Sequence, residues 1–363
     1  SIQDDTIGGD SNGDGNTTTA TNAWWAGITV SGGAVYVANA SIRHGWSGIA
    51  GNTTKTVSVT GSSFTRMWNV GAVQVTTTGA VTVSGNTVTG SIGTAIQVTQ
   101  RGDAANAAAS STTVTNNVVD GVQAGYGIRV AAAPYGTAYN LLPGPTVTGN
   151  TVRNIAGGYN GDYGIPVSVV ANTLLPDRLT GNTGTGNKTN MMRLGGTLKG
   201  NLTLPMAGLP VIIGAVGYND QDSFVIDTGA TLTLQPGTVL KVLPSGYTYL
   251  SVKGSLVASG TTQAPTVFTT FNDDTAGGDL NGDGTATDIS SGGWGGISVA
   301  GGHASLAVTD IRRASTALSA SGGAAVTFNG RVADSTSGIA SDGTFVDARD
   351  VDWGSPSGPA TGQ

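Results

Sequence analysis

Hydrophobic and polar residues alternate in short runs along most of this 363-residue chain. Val59, Val83, Val114 and Val147 are each flanked by Ser or Thr, in the pairs Ser58/Thr60, Thr82/Ser84, Thr113/Thr115 and Thr146/Thr148. A period of two means a strand with one face inward, so the valines are expected inside and the hydroxyls outside. A phrase of one small residue followed by an aliphatic recurs at Gly27-Ile28, Gly48-Ile49, Ala95-Ile96, Gly127-Ile128 and Gly164-Ile165. It returns at Gly296-Ile297, Ala317-Leu318 and Gly338-Ile339, where successive aliphatics are 21 residues apart. A second phrase, Gly-Asn-Thr-Val or a close variant, begins at Gly85, Asn116 and Gly149, with a degenerate copy at Gly181. Short strands recurring every twenty-odd residues predict an all-β solenoid with three strands per coil, stabilised by each coil stacking on its neighbours. The repeated Asn is expected to form a ladder at one turn, where its amide satisfies backbone groups and its backbone tolerates left-handed geometry.

A longer repeat overlies the short one. Residues 4–15, DDTIGGDSNGDG, recur as DDTAGGDLNGDG at 273–284, an offset of 269. Without a gap, Trp25-Ala-Gly-Ile28 then matches Trp294-Gly-Gly-Ile297, and Ile42-Arg43 matches Ile311-Arg312. Two tandem modules are expected: 1–187, lacking its opening coils, and 188–363, which includes them. The stretch 184–227 would be the junction. Because the N-terminal SIQDDTIGGD begins inside the acidic motif, the chain is expected to be a processed or truncated piece of a longer protein.

Composition narrows the function classes. There are 59 glycines, no cysteine and only 10% charged residues, and every acid is Asp. Glu- and Leu-poor, Thr-, Val- and Gly-rich chains do not build helical bundles or doubly wound sheets. A net charge of −6 without a basic cluster argues against a nucleic-acid partner. No apolar run is long enough to span a bilayer as a helix.

The sharpest chemistry lies in the duplicated loops. Asp10, Asn12, Asp14 and Asn16 in the first copy, and Asp279, Asn281, Asp283 and Thr285 in the second, read D-x-N-x-D-G-x. Alternate side-chain oxygens and a turn-permitting Gly suit one hard cation, and an all-oxygen, carboxylate-rich set favours Ca²⁺. Twelve positions from the first Asp stand Thr21 and Ser290, so the bidentate Glu of an EF-hand is missing. Asp4 and Asp5 in the first copy, and Asp273, Asp274 and Asp288 in the second, are the substitute ligands. The bland alternative is a solvated turn between strands.

Three segments resemble the right-handed parallel β-helix proteins of bacterial surfaces and secretions. They are the opening-coil-like stretch 229–274, the twin DDxxGGDxNGDG…WxGI blocks, and 352–359, similar to the WGxxSGP segment that closes such modules. The resemblance implies the handedness of the solenoid and an extracellular or cell-surface location. Tandem modules, ends that cut the repeat pattern and no catalytic constellation give the expectation of a calcium-stabilised structural or adhesive repeat unit, with neighbouring copies of itself as head-to-tail partners in a fibre.

The second expectation is a carbohydrate-active module that binds or cleaves a polysaccharide. The acids outside the calcium loops in the first module (Asp103, Asp120, Asp162, Asp177) and the basic candidates Arg101, Arg129, Arg153, Arg178 and Arg193 form no local catalytic signature. The coils lengthen at 100–111, 131–142 and 157–163, however. Tyr126, Tyr135, Tyr139, Tyr159 and Tyr163 lie in or near these insertions, beside Arg101-Gly102-Asp103, and aromatic-lined loops suit sugar chains. His44 and His303 stand singly, with no triad around either. Trp25 and Trp294 read as structural lids after the acidic loops; Trp24 has no evident role.

Overall fold

The computed structural model describes residues 4–5, 8–10, 12–15, 24–102, 110–132, 142–157, 164–214, 223–284 and 293–354. Two compact units divide the chain, one of residues 1–168 with 181–188, the other of 169–180 with 189–363. Among the described residues the one helical element is the single 3₁₀ turn Pro176–Arg178, and no helix is long and apolar enough to cross a membrane.

The first unit is a solenoid of three parallel sheets. The first sheet stacks Ile28–Ser31, Ser47–Thr53, Gly71–Thr77, Ile96–Gln100 and Ile128–Ala132. The second stacks Val35–Ala38, Val57–Thr60, Val81–Ser84, Thr112–Thr115 and Thr146–Thr148. The third runs from Ser41–Arg43 through Ser63–Thr65, Thr87–Ser91, Val118–Val122 and Thr151–Ile155 to Thr183–Thr185. Each coil therefore contributes one strand to each sheet, as the periodicity predicts.

Register follows the hydrophobic pattern because a one-residue slip would turn every valine outward. Val37, Val59, Val83, Val114 and Val147 are consecutive partners, and the last four are fully buried. Each such valine contributes roughly 1.5–3 kcal/mol relative to exposure. On the first sheet the column is Ile28, Ile49, Val73, Ile96 and Ile128. Ala72-Val73 is thus the copy that pattern reading skips, since Val takes the place of Ile between Ile49 and Ile96.

The Asn phrase resolves into a buried ladder. Asn117 Oδ1 accepts from the backbone N–H (3.0 Å) and the amide (2.9 Å) of Asn86, while its own amide donates to Val83 O (2.9 Å) and Asn150 Oδ1 (3.0 Å). Both donors and both acceptors of the side chain are engaged, which is what lets it sit fully buried. Asn150 continues the series onto Asn182 at 2.9 Å, and Ser62 begins it by donating its N–H to Asn86 Oδ1. One detail differs from the expectation. The left-handed residue is the one before each ladder Asn: Gly85 (φ 66°), Asn116 (φ 55°), Gly149 (φ 65°) and Gly181 (φ 71°). The phrase thus separates two roles, with a left-handed corner first and the ladder amide second.

The second unit repeats the architecture. Its first column runs Phe224, Leu250, Ile297, Leu318 and Ile339, and a second runs Leu232, Leu256, Ala304, Val326 and Val346. The stretch expected to be a junction is regular solenoid over much of its length. Met192–Leu198 and Asn201–Leu204 are strands, and Leu202 pairs with Leu232 in register. The run MMRLGGTLKGN reads as irregular only because its glycines interrupt an otherwise alternating pattern.

Candidate metal centres

Each acidic loop precedes the tryptophan that begins a new coil, and the same set of contacts anchors both copies. Trp25 pairs with Gly45 and Trp294 with Ala314 as isolated parallel bridges. The indole N–H of Trp25 donates to Arg43 O and that of Trp294 to Arg312 O, each at 2.9 Å. The corner residue that follows is left-handed in both, His44 at φ 51° and Arg313 at φ 57°.

Inside the loops the first Asp organises the turn. Asp279 accepts the backbone N–H of Gly282 (2.7 Å) and Asp283 (3.3 Å) on one oxygen and that of Gly284 (2.8 Å) on the other. Asp10 accepts from Asp14 N–H (3.0 Å) and Gly15 N–H (2.8 Å). The Gly284 amide is the main reason the Asp279 carboxyl titrates below its ordinary range; desolvation opposes it, and the Gly282 and Asp283 amides add to the lowering. The Asn at position three donates its amide to the next Asp, Asn12 to Asp14 at 2.9 Å and Asn281 to Asp283 at 2.8 Å.

Carboxylate oxygens of Asp5, Asp10 and Asp14 lie within 4.8 Å of one another, and those of Asp274, Asp279 and Asp283 do the same. Ca²⁺–oxygen bonds are about 2.3–2.6 Å, so oxygens up to about 4.8 Å apart can share one ion. Three carboxylates this close repel one another, and a cation between them would relieve that repulsion. The donor set is all oxygen, and it fits a hard divalent ion.

Of the remaining predicted ligands, Asp4 and Asp273 do not join these triads. Asp273 is fully buried and turned the other way. It accepts Thr269 Oγ1 (2.6 Å), the Thr275 hydroxyl (2.5 Å) and the Thr275 N–H (3.1 Å), and pairs with Arg313 Nε at 3.4 Å. Burial pushes its carboxyl up, but those hydrogen bonds and the Arg313 charge outweigh it and leave it below the usual range. Asp4 is its counterpart and sits 3.5 Å from His44 Nε2. The offset of 269 maps His44 onto Arg313, so His44 is half of a duplicated anchor rather than an isolated side chain. Burial lowers the His44 pKa, and the opposing pull of Asp4 does not restore it. Asn16, Thr285 and Asp288 lie outside the described residues.

Sequence reading missed Lys241. It is fully buried on Val239–Val242, and its ammonium donates to Asp273 O (2.9 Å) and Gly278 O (2.7 Å), fixing the base of the second loop. Desolvation lowers its pKa against the pull of Asp274, Asp273 and Asp279. A lone Lys in an alternating strand carries no local sign of this.

The residues weighed for sugar chemistry are placed differently. Tyr126 is buried, with Arg129 over its ring at 5.7 Å, so it is no exposed platform. Its N–H bonds Thr94 Oγ1 on the coil before, at 3.2 Å, which ties it into the stack. Arg193 is fully buried with Nε on Gly214 O, and Arg153 pairs with Asp120 at 2.8 Å. Arg101 is exposed at the end of its strand. Asp103, Asp162, Tyr135, Tyr139, Tyr159 and Tyr163 lie outside the described residues, as does most of the closing segment 352–359.

Comparison with curated proteins and with solved structures finds no match. Residues 7–174 match the family model described as right handed beta helix region, and with the stacked parallel strands of both units the fold is that of a right-handed parallel β-helix solenoid.

Proposed function

We propose that this chain is a calcium-stabilised structural or adhesive repeat unit of an extracellular or cell-surface protein. The observation that carries the reading is the pair of carboxylate triads at one architectural position in a duplicated segment. A solenoid gains its stability from coil-on-coil stacking, and an excursion of some twenty residues between strands interrupts that stacking. An ion held by the first half of the excursion would pin it against the coil, where Trp25 or Trp294 already anchors the second half. The role of calcium here is structural, neutralising the triad and fixing the loop. A site built on one short, largely exposed loop without a bidentate Glu belongs among the weaker calcium sites, which fill at the millimolar calcium found outside cells.

The test is a thermal melt of the intact chain in calcium and after chelation. Calcium should raise the melting temperature, and a variant carrying D10N, D14N, D279N and D283N should melt alike in both conditions. A wild-type melt that ignores chelation would overturn the reading.

A further inference from the structure

Three tryptophans of the first unit share one corner of the solenoid and remain open to solvent. Trp46 and Trp68 are equivalent residues of consecutive coils: the Trp46 N–H donates to Trp25 O and the Trp68 N–H to Gly45 O, while Trp25 and Gly45 bridge each other. Trp24 reaches across from the preceding coil. Its ring stacks on Trp68 (4.6 Å between centroids, 11° between planes) and tilts against Trp46 (5.7 Å, 41°). Trp24, Trp46 and Trp68 are nonetheless 40%, 37% and 39% exposed.

The fold does not require indoles here. The duplicated corner of the second unit places Gly293, Ser315 and Thr336 at the matching positions, with the same backbone bonds, from Ser315 N–H to Trp294 O (2.7 Å) and from Thr336 N–H to Ala314 O (2.9 Å). Gly293, Ser315 and Thr336 are all exposed, although a further coil, carrying Ser245–Val252, lies ahead of Trp294. The column therefore faces solvent as a property of the corner. A small polar residue suffices for folding, so three exposed indoles on the other copy call for a ligand.

We infer that Trp24, Trp46 and Trp68 form a platform for a neutral glycan chain. Large flat apolar faces stacked along a rigid coil axis, with the polar side chains of Arg66 and Asn69 exposed at the rim, match a ligand whose rings have apolar faces and hydroxylated edges. Three side chains fall far short of the roughly 20–30 residues that each partner of a stable protein interface contributes. Stacking on three uncharged indoles supplies no charge to recognise a polyanion, so a neutral chain is the ligand the platform itself selects. None of the candidate metal ligands and none of the tyrosines weighed above belongs to the platform.

Affinity electrophoresis of the full chain through gels containing xylan, galactomannan or soluble β-glucan, with polygalacturonate as the acidic comparison, tests this inference. At least one neutral polysaccharide should retard the wild type and shift its indole emission. W46A and W68A should each weaken retardation by about tenfold or more, the scale of a lost stacking contact, while keeping a cooperative melt. The emission shift is read on the wild type, so it stands even where a variant fails to fold. Three results would overturn the platform: no neutral polysaccharide retards the wild type, retardation leaves the indole emission unchanged and survives in the variants, or polygalacturonate alone retards it.

Discussion

The two acidic-loop corners share a backbone and differ in what they show to water. Both hold a carboxylate triad, an indole bonded to a carbonyl, and a left-handed residue facing an Asp. In the second unit that residue is Arg313, whose charge is permanent and whose partner Asp273 is fully buried; in the first it is His44 beside Asp4. The solvent-facing column is Gly293, Ser315 and Thr336 in one copy and Trp24, Trp46 and Trp68 in the other. Folding constrains the inward and loop-closing positions of a coil, whereas the outward column is free to diverge. A duplication of this kind therefore separates structural residues from those that face a partner.

The largest expected effect tests the anchors. Trp294 is fully buried under the coil that carries Tyr249, while Trp25 is 40% exposed. Trp294→Ala should cost about 3–5 kcal/mol in denaturant unfolding, and Trp25→Ala distinctly less, in proportion to the smaller indole area it buries. Equal losses would mean that the two anchors are not energetically distinct.

Next come the loops. At calcium a hundredfold above its Kd, each filled loop should add about 2.7 kcal/mol. D14N and D283N should therefore each remove one part of the calcium-dependent rise in melting temperature, and together remove it all. If D283N alone abolished the rise, the first loop would have no calcium role and the symmetry of the comparison would fail.

A smaller loss is expected in the Asn ladder, a feature of the first unit whose corresponding corner in the second is built from Thr266, Thr309 and Asn329. Asn117→Ala leaves the buried Asn86 backbone N–H without its acceptor and removes one of the two donors to Asn150 Oδ1, at about 1–3 kcal/mol by chemical denaturation. Asn117→Asp adds a buried charge and should be worse still.

The smallest effect lies at the surface. Asn154 first, and then Arg153, hold the Asp120 carboxyl below its ordinary value. Its folded pKa is depressed, so the stabilisation is present above the usual carboxylate range and fades as pH falls through the lowered pKa. Asp120→Asn should flatten that acid limb slightly, by less than about 1 kcal/mol for so exposed a pair. Asp227, held mainly by Lys199 in the second unit, should behave alike.

Strands and core columns were legible from residues 28 to 155, except for the skipped Ala72-Val73 copy, because alternation and register are set by the same valines and isoleucines. The ladder was legible as a recurring Asn, though not its division of labour with the residue before it, since phase along a turn is invisible in composition. The triads were half legible. Spacing marked Asp10, Asn12 and Asp14 and their copies, but could not tell Asp5 from Asp4 or Asp274 from Asp273, because neighbouring side chains point opposite ways only once the backbone is placed.

By itself, then, the sequence determined the solenoid, its period, its duplication and the two oxygen-rich loops. Each of these is local or strictly repeated, and a repeated pattern stacks on itself with little freedom. The tertiary structure alone decided that Lys241 lies under a loop some thirty residues away, that Tyr126 is buried, and that Trp24 meets Trp46 and Trp68 across successive coils. Those contacts join residues on different coils, and their proximity comes from the coil-to-coil register rather than from any local pattern.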